Sequence, residues 1–179
     1  MHGVVFIELE RYLTEKLGRR GWDEIRAEAG CSARIFVPVD AYPDQELRDL
    51  LRAASARLDK PEPLLLEEFG IYVAPQFLKT YRFLVKNEWT VLDVLANVES
   101  VMHAAVRRRS PSSEPPRLEI ERLEPSGVLI VYSSPRKLCE FGRGLIEGMA
   151  QFFDESVRIS ELSCMHEGAP SCRILVTKR

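Results

Sequence analysis

Several things are scarce in this sequence. No apolar run approaches the roughly 20 residues of a membrane-spanning helix, and the longest apolar stretches are short and flanked by charge. Charge of one sign is missing too. Lys plus Arg total 25 against 27 Asp plus Glu, a formal net charge of -2, which argues against non-specific nucleic-acid binding as the main task. Cysteine occurs four times, at 31, 139, 164 and 172, too seldom for a disulfide scaffold at this length. The start, Met1-His2-Gly3-Val4-Val5-Phe6-Ile7-Glu8, has no basic segment and reaches a charge too soon for a signal peptide. The expectation is a cytoplasmic protein with no membrane and no nucleic-acid partner, whose thiols are free, reactive or metal-bound. Internal repeats and low-complexity tracts are absent.

What is present is a chain of 179 residues, 45% hydrophobic, enough for one domain or two small halves around a shared core. A single domain over 1–179 is expected, with a helical part at about 1–110 and an α/β part at about 117–179. The break is Ser110-Pro111-Ser112-Ser113-Glu114-Pro115-Pro116, which cannot continue a helix. In the first part, Phe6, Leu9, Leu13 and Leu17 recur at helical spacing and Gly18 closes that helix. A second segment runs from Trp22 to Gly30. Arg34–Val39 reads as an extended edge segment. Leu47, Leu50, Leu51 and Ala54 mark a helix beginning near Asp44. Leu64–Val73 reads as another, and Pro75 opens the next. Thr90 can cap a long helix reaching about Arg108.

After Pro116 the period changes to two. Leu118–Leu123 and Val128–Tyr132 read as a hairpin, Arg136–Phe153 as a helix, and Val157–Leu162 and Arg173–Thr177 as two further strands. The fold class is α+β: a helical N-terminal half packed on a four-stranded antiparallel sheet with one crossing helix. Gly142, Gly144 and Gly148 weaken that helix on propensity alone. They suit close approach by another element or a flat ligand.

Histidine is rare, at 2, 103 and 166. Leu92, Ala96, Glu99 and His103 step along one side of the long helix, so His103 lies at the edge of the core stripe. A core histidine bonded to a neighbour is one reading. The other is an axial haem ligand, for which imidazole nitrogen on a rigid helix is well suited. Val5, Leu9, Phe77, Leu78, Phe141 and Leu145 can supply the apolar pocket such a ligand needs. Tyr132, Ser134 and Arg136 are spaced at two and offer a phenol, a hydroxyl and a guanidinium to a pair of carboxylates. Haem carries two propionates. The bland alternative is a strand end with an exposed arginine.

These residues, in this order, resemble the bacterial haem nitric-oxide/oxygen-binding (H-NOX) domain, also found as the haem domain of soluble guanylate cyclase. The likeness runs from Met1-His2-Gly3 through His103, Pro115-Pro116-Arg117, Tyr132-x-Ser134-x-Arg136 and Gly144-Leu145-Ile146-Glu147-Gly148 to the last strand. It implies haem b held by His103 and by a propionate clamp of Tyr132, Ser134 and Arg136. It implies that Pro116 presses on the porphyrin and that Val5 packs on it. Oxygen-binding members carry a distal tyrosine where this chain has Phe141, so the resemblance implies a nitric-oxide sensor that excludes oxygen. It also implies output to a separate partner such as a histidine kinase or a cyclic-di-guanylate enzyme, because no kinase, cyclase or GGDEF-like segment is evident. The chain itself is not expected to be an enzyme.

Cys164-Met165-His166 and Cys172 lie in one predicted hairpin, and Cys139 opens the helix after the clamp. Sulfur and nitrogen donors of this kind suit tetrahedral zinc. Some members of the resembled family hold zinc with cysteines matching Cys139, Cys164 and Cys172 and a histidine where this chain has Glu161. His166 is the first candidate for the fourth ligand and Glu161 the second. Buried free thiols and a Cys164–Cys172 disulfide sensor stay open. Cys31 reads as a small buried hydrophobe. Two further readings remain beside the sensor. One is a haem-free ligand-binding or protein-interaction module of the same fold, since the last part also resembles vinyl-reductase-like small-molecule-binding domains. The other is a thiol enzyme using Cys164 and His166, which lacks an orienting third residue.

Overall fold

A computed structural model of the chain describes residues 1–109 and 114–179. Ser110, Pro111, Ser112 and Ser113 of the expected proline-rich break lie outside the described residues. Helix α1 spans Gly3–Glu28, α2 Asp44–Leu58, α3 Glu62–Thr80 and α4 Val91–Asn97. A π-helical turn, Val98–His103, follows α4 and leads into α5, Ala104–Arg109. Strands β1 (Arg117–Leu123) and β2 (Gly127–Ser133), helix α6 (Cys139–Phe152), and strands β3 (Val157–Ser163) and β4 (Cys172–Lys178) complete the chain. The sheet is antiparallel with order β1-β2-β4-β3, so the α+β architecture read from the sequence stands.

The period-two pattern explains the sheet's buried face. In the β2–β4 register Val128 faces Val176, Ile130 faces Ile174 and Tyr132 faces Cys172. All six are buried, together with Leu92 and Leu95 of α4 and Ile146 and Met149 of α6. A second buried cluster fills the N-terminal part with Phe6, Leu9, Leu13, Trp22, Ile25, Leu50, Leu65 and Phe69. Leu145 packs against both clusters.

Three local expectations are corrected. Gly18 leaves helical geometry at φ 73°, but α1 resumes beyond it as a kinked helix instead of ending. Trp22 and Ile25 on the second arm are fully buried beside Leu9 and Leu13, and that burial keeps the arms together. Arg34–Val39 joins no strand; it ends in a turn at Pro38 and Val39, and a single bridge pairs His2 with Ala41. There the stack of Phe36 on Phe6, centroids 4.4 Å apart, replaces strand pairing. Pro75 does not open a helix but sits inside α3. Having no N–H, it leaves the carbonyl of Ile71 without its usual partner. That oxygen is the atom a Cβ on Gly148 would meet at 2.5 Å, and a Cβ on Gly144 would meet the Glu67 oxygen at 2.0 Å. Gly144 and Gly148 therefore serve backbone contact with α3, one of the two uses anticipated, whereas Gly142 has nothing within 4 Å of its Cβ position.

Candidate functional site

Thr90 starts the helix that carries His103. Its hydroxyl accepts from the Asp93 amide while the Asp93 carboxylate accepts from the Thr90 amide, a reciprocal cap. After the seven residues of α4 the winding widens to the π form, and His103 closes that turn. Such turns are rare and occur often at functional sites. The His103 side chain is 18% exposed, and its Nδ1 lies 2.8 Å from Glu99 Oε2. The other Glu99 oxygen accepts from Arg107 at 2.6 Å. Burial pushes the His103 pKa below the ordinary imidazole value, and the Glu99 carboxylate opposes that shift. Glu99 titrates below the usual carboxylate range; burial pulls it up, but the bonds from His103 and Arg107 outweigh burial.

A neutral imidazole carries one proton, and a carboxylate beside Nδ1 favours the tautomer with the proton there. In that tautomer Nε2 carries the lone pair. A histidine with one nitrogen pinned to a carboxylate and the other free to donate is the usual arrangement of a metal ligand.

The clamp residues cluster at the end of β2. Tyr132 and Ser134 are buried and the Arg136 side chain is 14% exposed. The Tyr132 hydroxyl accepts from the Leu138 amide at 2.9 Å, and the Ser134 hydroxyl accepts from the Arg136 amide at 3.3 Å. Burial raises the Tyr132 pKa, with bonds from Leu138 and Ser134 acting against it. The Arg136 guanidinium ion-pairs with Asp44 of α2 at 2.8 Å and donates to the Glu114 carbonyl. Asp44 also takes the N-terminal ammonium at 2.8 Å. The Arg136 guanidinium is thus engaged by a carboxylate and a carbonyl.

Val5, Leu9, Phe77, Phe141 and Leu145 share the N-terminal cluster, whereas Leu78 belongs to the sheet cluster. Phe141 stacks on Phe69, centroids 5.2 Å apart. Pro116 is half-buried just before β1.

The thiols converge as well. Cys139 from α6 meets Cys164 and Cys172 from the β3–β4 hairpin, with Sγ separations of 3.8 Å for 139–164 and 3.9 Å for 164–172. All are buried and free, so the disulfide is not formed here. Glu161 has an oxygen within 4.8 Å of all three sulfurs. His166 stands apart from that set, grouped with Cys139 and Glu140, and its Nε2 bonds the Lys137 carbonyl at 2.9 Å. The geometry thus favours Glu161 over His166 as a fourth donor, reversing the order of preference given above. Burial and the Glu140 charge drive the Cys139 pKa far up, and burial raises Cys164. Cys31 is buried apart, its thiol raised by burial.

Sequence reading missed Glu99 and Arg107 as partners of His103, although both lie four residues from it, and it missed Asp44. No helix among the described residues is long and apolar enough to cross a membrane.

The Haem-NO-binding family matches residues 2–161, and the chain belongs to it. That family comprises haem-based gas-sensor domains. An H-NOX protein from S. oneidensis, solved in its Fe(II)NO ligation state, is 25% identical with a TM-score of 0.94, covering 100% of this chain and 99% of that one. The Fe(II) unliganded H-NOX protein from K. algicida superposes with a TM-score of 0.87 at 22% identity, covering 100% and 97%. Soluble guanylate cyclase 89Db of Drosophila melanogaster is 21% identical over 138 residues, 76% of this chain and 20% of that protein. The chain therefore spans about a fifth of that relative's length.

Proposed function

We propose that residues 1–179 act as one haem-based nitric-oxide sensor that signals to a separate protein. The observation that carries this is the imidazole of His103, largely buried, with Nδ1 against the Glu99 carboxylate, which leaves Nε2 as the nitrogen to bind a metal. Haem b, when bound, would supply an iron able to take up a diatomic gas. His103 would hold the metal, and Tyr132, Ser134 and Arg136 would hold the propionates, with Arg136 exchanging some of its contact with Asp44 for them. Pro116 and Val5 would pack on the macrocycle, and Phe141 and Leu145 would line the pocket.

Selectivity follows from what Phe141 lacks. Bound dioxygen needs a hydrogen-bond donor at its outer atom, whereas nitric oxide is retained without one. Phe141 has no donor and is stacked on Phe69. Release of His103 from the metal would free the π-helical turn and α5 to shift, and a histidine kinase or cyclic-di-guanylate enzyme would read the altered surface. Two conformations with different affinity for that partner are what the switch requires.

The test is the absorbance spectrum of the reduced protein before and after nitric oxide. A haem band that shifts with nitric oxide, is unchanged by air-level oxygen before oxidation, and is lost or altered in His103→Ala supports the reading. A colourless protein that refuses added haem returns the haem-free module. A persistent oxygen complex removes the argument from Phe141.

A second site is supported by the sulfur geometry. Tetrahedral zinc at about 2.3 Å from each thiolate sets sulfurs roughly 3.8 Å apart, close to the two separations found. We assign Cys139, Cys164, Cys172 and Glu161 to a structural zinc, to be checked by metal analysis.

A further inference from the structure

We propose that Glu99, itself restrained by Arg107, sets how strongly His103 holds the haem iron, and so sets how readily nitric oxide breaks that bond. The inference rests on His103 being the iron ligand, and it concerns a different quantity: the strength of the bond, not its existence.

The geometry is a three-membered chain along one side of the helix. Arg107 donates to Glu99 Oε1 at 2.6 Å, and Glu99 Oε2 faces His103 Nδ1 at 2.8 Å. Both are charge-assisted contacts, the stronger kind of hydrogen bond. Glu99 and Arg107 sit four residues to either side of His103, so all three ride on the segment the switch must move. A carboxylate drawing on the Nδ1 proton gives the ring partial imidazolate character and makes Nε2 a better donor. Arg107 acts in the opposite sense. By taking part of the carboxylate's charge it weakens that draw. The pair therefore works as a graded control: remove the carboxylate and the iron bond loosens, remove the guanidinium and it tightens. Glu99 and His103 are four residues apart, the spacing at which helical side chains meet, and both lie within the π-helical turn.

Glu99 and Arg107 are positioning residues, and the decisive readout is spectroscopic. The full-length, haem-loaded ferrous protein is compared with Glu99→Leu, Glu99→Gln and Arg107→Met by resonance Raman at the iron–histidine stretch. The stretch is expected to fall in Glu99→Leu, to fall less in Glu99→Gln, and to rise in Arg107→Met. Haem transfer to apomyoglobin should quicken by about 10-fold or more in Glu99→Leu, in line with the loss expected when a ligand's hydrogen-bond partner is removed, and slow in Arg107→Met. With nitric oxide, Glu99→Leu should reach the five-coordinate form faster and Arg107→Met slower than the parent. A purely structural contact predicts no opposite signs. An unchanged stretch in both Glu99→Leu and Arg107→Met overturns the proposal, and should Glu99→Leu fail to fold, an unchanged Arg107→Met does so alone. The parent reading fails separately, through wild-type protein without haem or an iron–histidine band that survives in His103→Ala.

Discussion

Two places in this molecule gather metal-ligand chemistry, and they are built in opposite ways. At His103 a single donor stands on a helix, and its partners Glu99 and Arg107 come from the same helix. At the thiol cluster three donors converge from α6 and the β3–β4 hairpin, and only tertiary packing brings them together. A site with one protein donor leaves the opposite face of a metal to a small ligand, as sensing requires. A site with four leaves no open position, as a structural metal requires. The thiol cluster borders Tyr132, which pairs with Cys172 across β2–β4 and accepts from the amide just before Cys139.

The largest expected effect breaks the first site alone. His103→Ala should abolish or grossly alter the haem spectrum while zinc content is unchanged; parallel loss of both would make the two sites one cooperative unit. Next comes Cys172→Ser. Zinc content should fall to background and thermal stability should drop, with the haem band retained. Because burial keeps the Cys139 and Cys164 thiols protonated in the metal-free state, zinc uptake must release protons. Calorimetry in buffers of different ionisation enthalpy should show that release, and equal heats in every buffer would contradict it.

The contrast also explains what could be read from the sequence. The place of His103 at the edge of the core stripe was legible because a helix orders its neighbours by number, and the sheet because its buried positions alternate. The convergence of Cys139 with Cys164 and Cys172 was legible only through family likeness, since sequence spacing says nothing about where α6 lands on the hairpin. The relative placing of His166 and Glu161 was hidden for the same reason: softness of the donor favoured histidine, but the short helical turn at Met165–Glu167 carries His166 to the Lys137 carbonyl. The π-helical turn left no mark in the apolar pattern, because one extra residue per turn changes the pattern little over so short a stretch. Pro75 misled because tertiary contact with α6 outweighs the lost hydrogen bond.

Smaller in effect is the seam joining the two regions. Gly144→Ala drives a methyl group toward the Glu67 carbonyl of α3, which backbone cannot easily yield. A loss of about 1–3 kcal/mol is expected from overpacking, measured by urea unfolding. Gly142→Ala, with nothing within 4 Å, should be neutral or stabilising by up to about 1 kcal/mol through helix propensity. Equal effects at the two positions would dissolve the close-contact account.

The smallest effect tests whether the helix-borne site depends on its distant anchor. Thr90→Ala removes half of the reciprocal cap, at a typical cost of about 1 kcal/mol. The sign of its pH dependence is fixed by Asp93. Burial pulls that carboxyl up, but the Thr90 bonds and the Arg122 charge outweigh burial and hold it below its usual value. A depressed carboxyl contributes stability that is full above its unfolded pKa, near 3.8, and is lost as pH falls through the folded value. Thr90→Ala should therefore shrink the acid-limb loss seen in the parent, so that the two stabilities approach each other below that window. Because the thiol cluster shares no residue with α4, zinc content should be untouched throughout. A gap between parent and variant that widens as pH falls would show that the cap acts through something other than the Asp93 carboxylate.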